Sequence, residues 1–145
     1  MKTAIVYYSR HHGNTKKLVD AIAAENDVHP IDVTARQTAD LTQYDRIGFA
    51  SGIYYGSFAK QVLAFARECL PEKKDVFFLQ TYGVYRKGYL DAIRSIAREK
   101  GCKELGAYGC PGFDTFGPFK LIGGVAKGHP TEQEIKNAAE FYRHL

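Results

Sequence analysis

The sequence predicts an α/β fold, a doubly wound parallel sheet with helices on both faces. Three observations predict it. Short apolar runs recur along the chain without the polar alternation of a sheet that has one wet face. Each run is separated from the next by a helix-like segment or a crossover connection, the order that gives parallel strands. No internal repeat, low-complexity tract or linker interrupts this alternation, and 145 residues is the length of a single domain, residues 1–145.

The elements follow in order. Ala4-Ile5-Val6-Tyr7-Tyr8 is a continuous apolar run of the kind expected for a strand buried on both faces. After the loop 9–13, residues 14–24 place Leu18 and Ile22 at helical spacing. The second strand, residues 28–33, contains Pro30 and so belongs near an edge of the sheet. The polar connection 34–44 has room for one or two helical turns. Residues 45–51 form the third strand, 59–69 a helix stopped by Pro71, and 75–81 the fourth strand. A helix over 89–100 puts Leu90, Ile93 and Ala97 on one stripe, and residues 105–110 form the fifth strand. A loop of twenty residues, Pro111 to Pro130, contains five glycines, and loops that long in compact domains are usually functional. Thr131 followed three residues later by Glu134 is a capping box, and it opens the last helix. In such sheets ligands bind at the carboxyl ends of the strands, where the strand order reverses. The segments 9–15, 52–58, 82–88 and 111–119 are therefore the places to look for function.

Bulk properties exclude several classes. No stretch approaches the ~20 apolar residues of a membrane span, and a strand-like run beginning at Ala4 leads us to expect no signal peptide. Cys69, Cys102 and Cys110 are odd in number and lack Cys-x-x-Cys spacing, which suits reduced thiols in a cytoplasmic protein. The formal net charge is +4, with basic residues dispersed among acidic ones along the sequence. That pattern reads as a mixed solvated surface, with no nucleic-acid footprint and no stable membrane association expected.

The first loop carries the clearest chemistry. Ser9-Arg10-His11-His12-Gly13-Asn14-Thr15 offers two hydroxyls, an amide, a glycine for a tight turn and the backbone N–H groups of a helix start. Those are the parts of an anion cradle, although the same composition also suits an ordinary capped strand-to-helix turn. Lys16 and Lys17 sit in the first helical turn, where the helix dipole disfavours cations by roughly 0.3–1 kcal/mol each unless an anion is near. The Gly-Lys-Ser/Thr of a nucleoside-triphosphate loop is missing, and adjacent His11 and His12 lack metal-ligand spacing, so no metal site is expected.

This strand followed by Ser-x-x-x-Gly-Asn-Thr resembles the phosphate loop of the flavodoxin family, with one extra residue between Ser9 and Gly13. The order of elements resembles that family over nearly the whole chain. The resemblance implies a flavodoxin-like five-stranded parallel sheet of order 2-1-3-4-5 and FMN as cofactor, its phosphate held by residues 9–15. It also implies that the flavin ring lies between the loops after the third and fourth strands. Those loops supply Ile53, Tyr54, Tyr55 and Gly56 on one side and Thr81, Tyr82, Gly83, Tyr85 and Gly88 on the other. Tyr54, Tyr55, Tyr82 and Tyr85 are the candidate stacking residues, and Gly56 is the candidate for a peptide whose carbonyl turns toward the ring. Phe113, Asp114, Phe116 and Phe119 are candidates for its rim.

The implied function is electron transfer with protein partners, a reductase or an acceptor, the redox chemistry belonging to the cofactor. No Cys, Ser or His forms a nucleophile–base pair, so no catalytic residue is expected. One departure concerns charge: short-chain flavodoxins are usually acidic, and this chain is basic. Residues 44–46 and 53–56 also resemble the matching segments of menaquinone-dependent protoporphyrinogen oxidase. The alternative is therefore an FMN-dependent oxidoreductase acting on a quinone or a protoporphyrinogen-like substrate. A receiver-like interaction module would need acidic residues at the ends of the first and third strands, where Tyr8-Ser9 and Ser51-Gly52 stand.

Overall fold

The computed structural model describes residues 1–10, 12–115 and 117–145. His11 and Phe116, both singled out above, lie outside the described residues. The elements run β1 (Thr3–Tyr8), α1 (Asn14–Glu25), β2 (Val28–Asp32), β3 (Arg46–Tyr54), β4 (Ser57–Phe58), α2 (Lys60–Cys69), β5 (Asp75–Tyr82), α3 (Asp91–Glu99), β6 (Lys103–Pro111) and α4 (Glu132–Arg143). The main sheet has the order β2-β1-β3-β5-β6 with every pairing parallel. In five-strand numbering this is the expected order, β5 and β6 being the fourth and fifth parallel strands.

Two features differ from the reading of the sequence. The third strand runs three residues further than expected and folds back on itself, Ile53 opposite Phe58 and Tyr54 opposite Ser57, so that β4 adds a short antiparallel strand. The connection after β2 holds turns rather than helix. Asp32 and Asp40 each accept the backbone N–H and hydroxyl of the threonine two residues on, at 2.6–2.9 Å. Such Asx turns satisfy the backbone locally and compete with helix formation.

The unalternated apolar runs are explained by the two-sided sheet. From β1, Ala4, Val6 and Tyr8 pack toward α2 and α3 together with Phe49 and Phe78. Their neighbours Ile5 and Tyr7 pack on the opposite face with Val19 and Ile22 of α1 and Tyr142 of α4. Pro30 lies on the outermost strand, paired with Ile5 of β1 on one side only. The capping box opens α4: Glu134 N donates to Thr131 Oγ1 at 3.1 Å and Thr131 N to Glu134 Oε1 at 2.7 Å.

One close approach fixes the second face. Gly48 of β3 is flanked by Ile5 and Phe77 on its neighbouring strands. A Cβ at position 48 would lie 2.3–2.9 Å from three ring atoms of Phe77. The missing side chain lets that buried ring lie across the sheet and meet Tyr142 edge-on at 5.6 Å. Gly48→Ala should therefore destabilise the protein by about 1–3 kcal/mol, the usual cost of overpacking. The measurement is a urea transition: a lowered midpoint at unchanged slope is expected, and a midpoint equal to or above the parent's refutes the packing argument.

Candidate functional site

Because all the long strands are parallel, their carboxyl ends lie on one edge, and the loops after β1, β3, β5 and β6 meet there. Between them is a narrow cleft lined by Ser9, Arg10, Asn14, Thr15, Gly52, Ile53, Tyr54, Thr81, Tyr82, Gly112, Phe113 and Asp114. It lies at the point where the chain winds outward from β1 to β2 in one direction and to β3 in the other, which is where open α/β sheets place their ligands.

The first loop is shaped by two successive left-handed residues, His12 at φ 56° and Gly13 at φ 66°. Gly13 adopts this conformation without a Cβ penalty, and it turns the chain sharply into α1. Ser9 Oγ accepts the N–H of Lys16 at 3.0 Å, satisfying one of the amide groups that a helix start leaves without an intrahelical partner. Asn14 and Thr15 point inward and are buried, at 6% and 1% exposure. Thr15 Oγ1 lies 2.8 Å from Thr81 Oγ1 at the end of β5, and Asn14 Nδ2 donates to the carbonyl of Phe113 at 2.8 Å. Asn14 Oδ1 is buried with no hydrogen-bond partner among the described residues. Lys16, whose position raised the expectation of a nearby anion, instead pairs with Asp20 one turn along the helix at 2.7 Å.

The two aromatic loops divide their residues. Tyr54 ends β3 and folds inward: its hydroxyl would be 3.4 Å from a Cβ at Gly52, its ring meets Tyr8 edge-on at 5.7 Å, and its phenol hydrogen-bonds the backbone of Arg10. Burial first, then Tyr8 and Asp114 nearby, push that phenol up to about 12, the Arg10 hydrogen bond acting in the opposite direction. Tyr55 and Gly56, both at positive φ, make the two-residue turn between β3 and β4. This turn aims Tyr55 outward, 93% exposed, over a neighbouring groove of about 610 Å³ lined by Tyr8, Arg10, Tyr54, Phe58, Lys60 and Leu63 among others.

At the end of β5, Thr81 and Tyr82 line the cleft. Tyr85 forms an aromatic triad with Tyr82 and Tyr89 at centroid distances of 5.3–6.3 Å, and burial raises the Tyr82 phenol above its ordinary value. Tyr85 and Gly88 do not line the cleft and instead border a neighbouring hollow, together with Arg86 and Lys87. Gly83 is covered: a Cβ there would lie 2.6 Å from Val125 and 2.9 Å from Asp114.

The described residues of the long loop after β6 fold back on one another. Asp114 and Val125 exchange both backbone hydrogen bonds at 2.9 Å, around a 3₁₀ turn, Gly117–Ile122. His12, expected in the cradle, stacks on Phe113 at 4.3 Å and hydrogen-bonds Thr115 at 3.2 Å, so it fastens this loop rather than lining the cleft. Gly112 lets the loop pass close to Asn14, a Cβ there falling 2.7 Å from its amide nitrogen. Gly52 and Gly112 line the cleft although they were not among the expected binding residues. The available signal was a glycine near the carboxyl end of a parallel strand, within β3 for Gly52 and just after β6 for Gly112. No group of three or more metal-ligating side chains occurs among the described residues.

A doubly wound parallel sheet with a cleft at its switch point, walled by a helix start and two tyrosine-bearing loops, defines an open α/β protein of the nucleotide-fold type. A flavodoxin-domain profile matches residues 5–97, and the chain belongs to the flavodoxin family. It is 37% identical over 149 residues to an uncharacterised protein of Methanocaldococcus jannaschii, covering 100% of this chain and 98% of that one. Among solved structures it resembles a flavodoxin from the domain Archaea, at 19% identity and a TM-score of 0.62, covering 99% and 100% of the two chains. It also resembles a flavoprotein from Lactobacillus acidophilus solved in complex with FMN, at 22% identity and a TM-score of 0.57, covering 74% of this chain and 92% of that one.

The position of Tyr54 is open to a direct check. With its ionisation raised from 10 to about 12 in the folded state, the protonated phenol favours the fold. That contribution is present below pH 10 and is lost as pH rises from 10 through 12. Absorbance at 295 nm followed from pH 8 to 10.5 should show the same tyrosinate increment in the parent and in Tyr54→Phe. A decrease in the variant by a full tyrosine's worth would mean that the phenol is exposed.

Proposed function

We propose that the protein binds FMN in this cleft and acts in electron transfer. The observation that carries the reading is the continuity of the cleft, which runs from the start of α1 to the tyrosines that end β3 and β5. Its chemistry suits the cofactor. The helix start with Ser9, Gly13 and Thr15 offers N–H and O–H donors for a phosphate. The orphaned Asn14 Oδ1 is an acceptor for which the ribityl hydroxyls and ring N–H groups are donors. Tyr54 and Tyr82, both lining the cleft, offer aromatic surface for a ring. FMN bound there supplies one- and two-electron chemistry. The chain's own residues then orient it and tune it. Asp114, close enough to raise the Tyr54 phenol, disfavours any negative charge gained beside it, and the Arg10 charge, which lowers the same phenol by a smaller amount, acts in the opposite direction.

A second reading, an FMN-dependent oxidoreductase acting on a quinone or a protoporphyrinogen-like substrate, is favoured by the groove beneath Tyr55. Its walls of Tyr8, Tyr54, Phe58 and Leu63, with Arg10 and Lys60 at the mouth, have the size and apolar character of a small-molecule pocket. Saturable turnover of a quinone would select that reading. Electron exchange with a reductase and no small-molecule turnover selects the carrier.

The cofactor assignment is tested by quenching of flavin fluorescence. FMN should bind far more tightly than riboflavin, and equal affinities would sink the assignment. Thr15→Ala removes a hydroxyl at the helix start and should weaken FMN by about 1.5–3 kcal/mol, the range for hydrogen bonds to charged groups. Asp114→Asn should raise the reduction potential of the bound flavin in a potentiometric titration. An unchanged potential would place the carboxylate away from the ring.

A further inference from the structure

The excess positive charge is concentrated in the loops at the carboxyl edge of the sheet. Four loops surround the cleft: residues 9–13, 55–59, 83–90 and 112–131. They carry Arg10, Arg86, Lys87, Lys120 and Lys127 against a single acidic residue, Asp114. The whole chain has 20 basic and 16 acidic residues, so the remainder holds fifteen of each and the entire formal charge of +4 lies on these four loops. The sequence disperses these residues over more than a hundred positions, and the fold gathers them on one edge.

The same loops expose apolar surface. Six large hydrophobic side chains are exposed among the described residues, and five of them, Tyr55, Val84, Tyr85, Leu121 and Ile122, are on these loops. Leu121 and Ile122 are 88% and 71% exposed. The loops are tied into one surface: His12 stacks on Phe113, Val125 covers Gly83, and the Tyr54 phenol hydrogen-bonds the Arg10 backbone. An apolar patch ringed by charge of one sign marks an interaction site.

We infer that this face docks an acidic electron-transfer protein, one whose own apolar patch is ringed by carboxylates. The inference rests on the redox reading above and names its partner's chemistry. Opposite charge steers the encounter and fixes its orientation over the cleft, while Leu121, Ile122, Val84 and the two tyrosines supply the desolvated centre. A second copy of this chain is disfavoured, because two faces of the same sign repel each other. In the exchange, one electron leaves the partner's reduced centre, oxidising it, and enters the cofactor in the cleft, reducing it. No bond forms and no atom is transferred.

The test uses two one-electron proteins of opposite charge as probes: a plant-type [2Fe–2S] ferredoxin, which is acidic, and cytochrome c, which is basic. Binding to the full chain is read by interferometry, with and without FMN, at 20 and 300 mM NaCl. Ferredoxin should bind, at least tenfold more weakly at the higher salt, and cytochrome c should not. The triple variant Lys87→Glu, Lys120→Glu, Lys127→Glu should weaken ferredoxin at least tenfold at low salt while leaving the FMN dissociation constant within threefold. Leu121→Ser should weaken the binding that survives at high salt. Equal binding of both probes, or a triple variant that binds ferredoxin like the parent, overturns the inference. Salt-resistant sedimentation with phosphatidylglycerol vesicles that Leu121→Ser abolishes also overturns it, making the face a lipid surface. Because docking is read without flavin as well, failure to bind FMN would refute the cofactor reading alone, and loss of docking with FMN bound would refute this inference alone.

Discussion

Two buried hydroxyls tie the carboxyl edge of the sheet together. Thr15 opens α1 and Thr81 lies near the end of β5, two strands away across β1 and β3, yet their oxygens are 2.8 Å apart. Each side chain is less than 5% exposed, so separating them would leave buried polar groups without partners, at about 1–3 kcal/mol. This bond sets where the helix start stands relative to the central strands. Asn14, the residue before Thr15, extends the linkage to the loop after β6 by reaching the carbonyl of Phe113. The position of the cleft, the approach of the loop after β6 and the space available beside Tyr54 all follow from these two contacts.

The loop after β6 is held at both ends. At its start Phe113 is gripped by Asn14 and by the His12 ring. At its end His129 hydrogen-bonds Glu134 at 2.6 Å, and the same carboxylate completes the capping box of α4. One glutamate therefore serves a helix start and a loop end together. Between these anchors the Asp114–Val125 bridge closes over Gly83, so the segment most exposed to solvent at its tip is built on a fixed base. That arrangement presents Leu121 and Ile122 without requiring them to find support elsewhere.

The order of elements was legible because the signals were repeated along each element. A run such as Ala4-Ile5-Val6-Tyr7-Tyr8, apolar at every position, has few solutions other than a strand covered on both faces. Pro30 marked an edge, and Thr131 with Glu134 marked a helix start, since each has one dominant structural use. The cleft was legible as a set of loops but not as a set of side chains. Tyr54 and Tyr55 are chemically identical neighbours, and only the positive φ at Tyr55 and Gly56 sends one inward and the other out. His12 looks like part of a phosphate loop in sequence, and its partner Phe113 lies a hundred residues away. The use of Gly48 is not visible in its own segment, because it depends on a ring in the next strand. The β3–β4 hairpin escaped notice because its second strand is two residues long, too short for any periodicity to appear.

Pro30 has an effect beyond placing β2 at the edge. A parallel sheet with a free outer strand is a template on which another extended chain can polymerise. In β2, a strand of only five residues, the central position carries a ring where an incoming backbone would look for a donor. Growth of fibrils from that side of the molecule meets a missing hydrogen bond at the middle of every attempt, which leaves β6 as the edge where resistance to aggregation has to come from other devices.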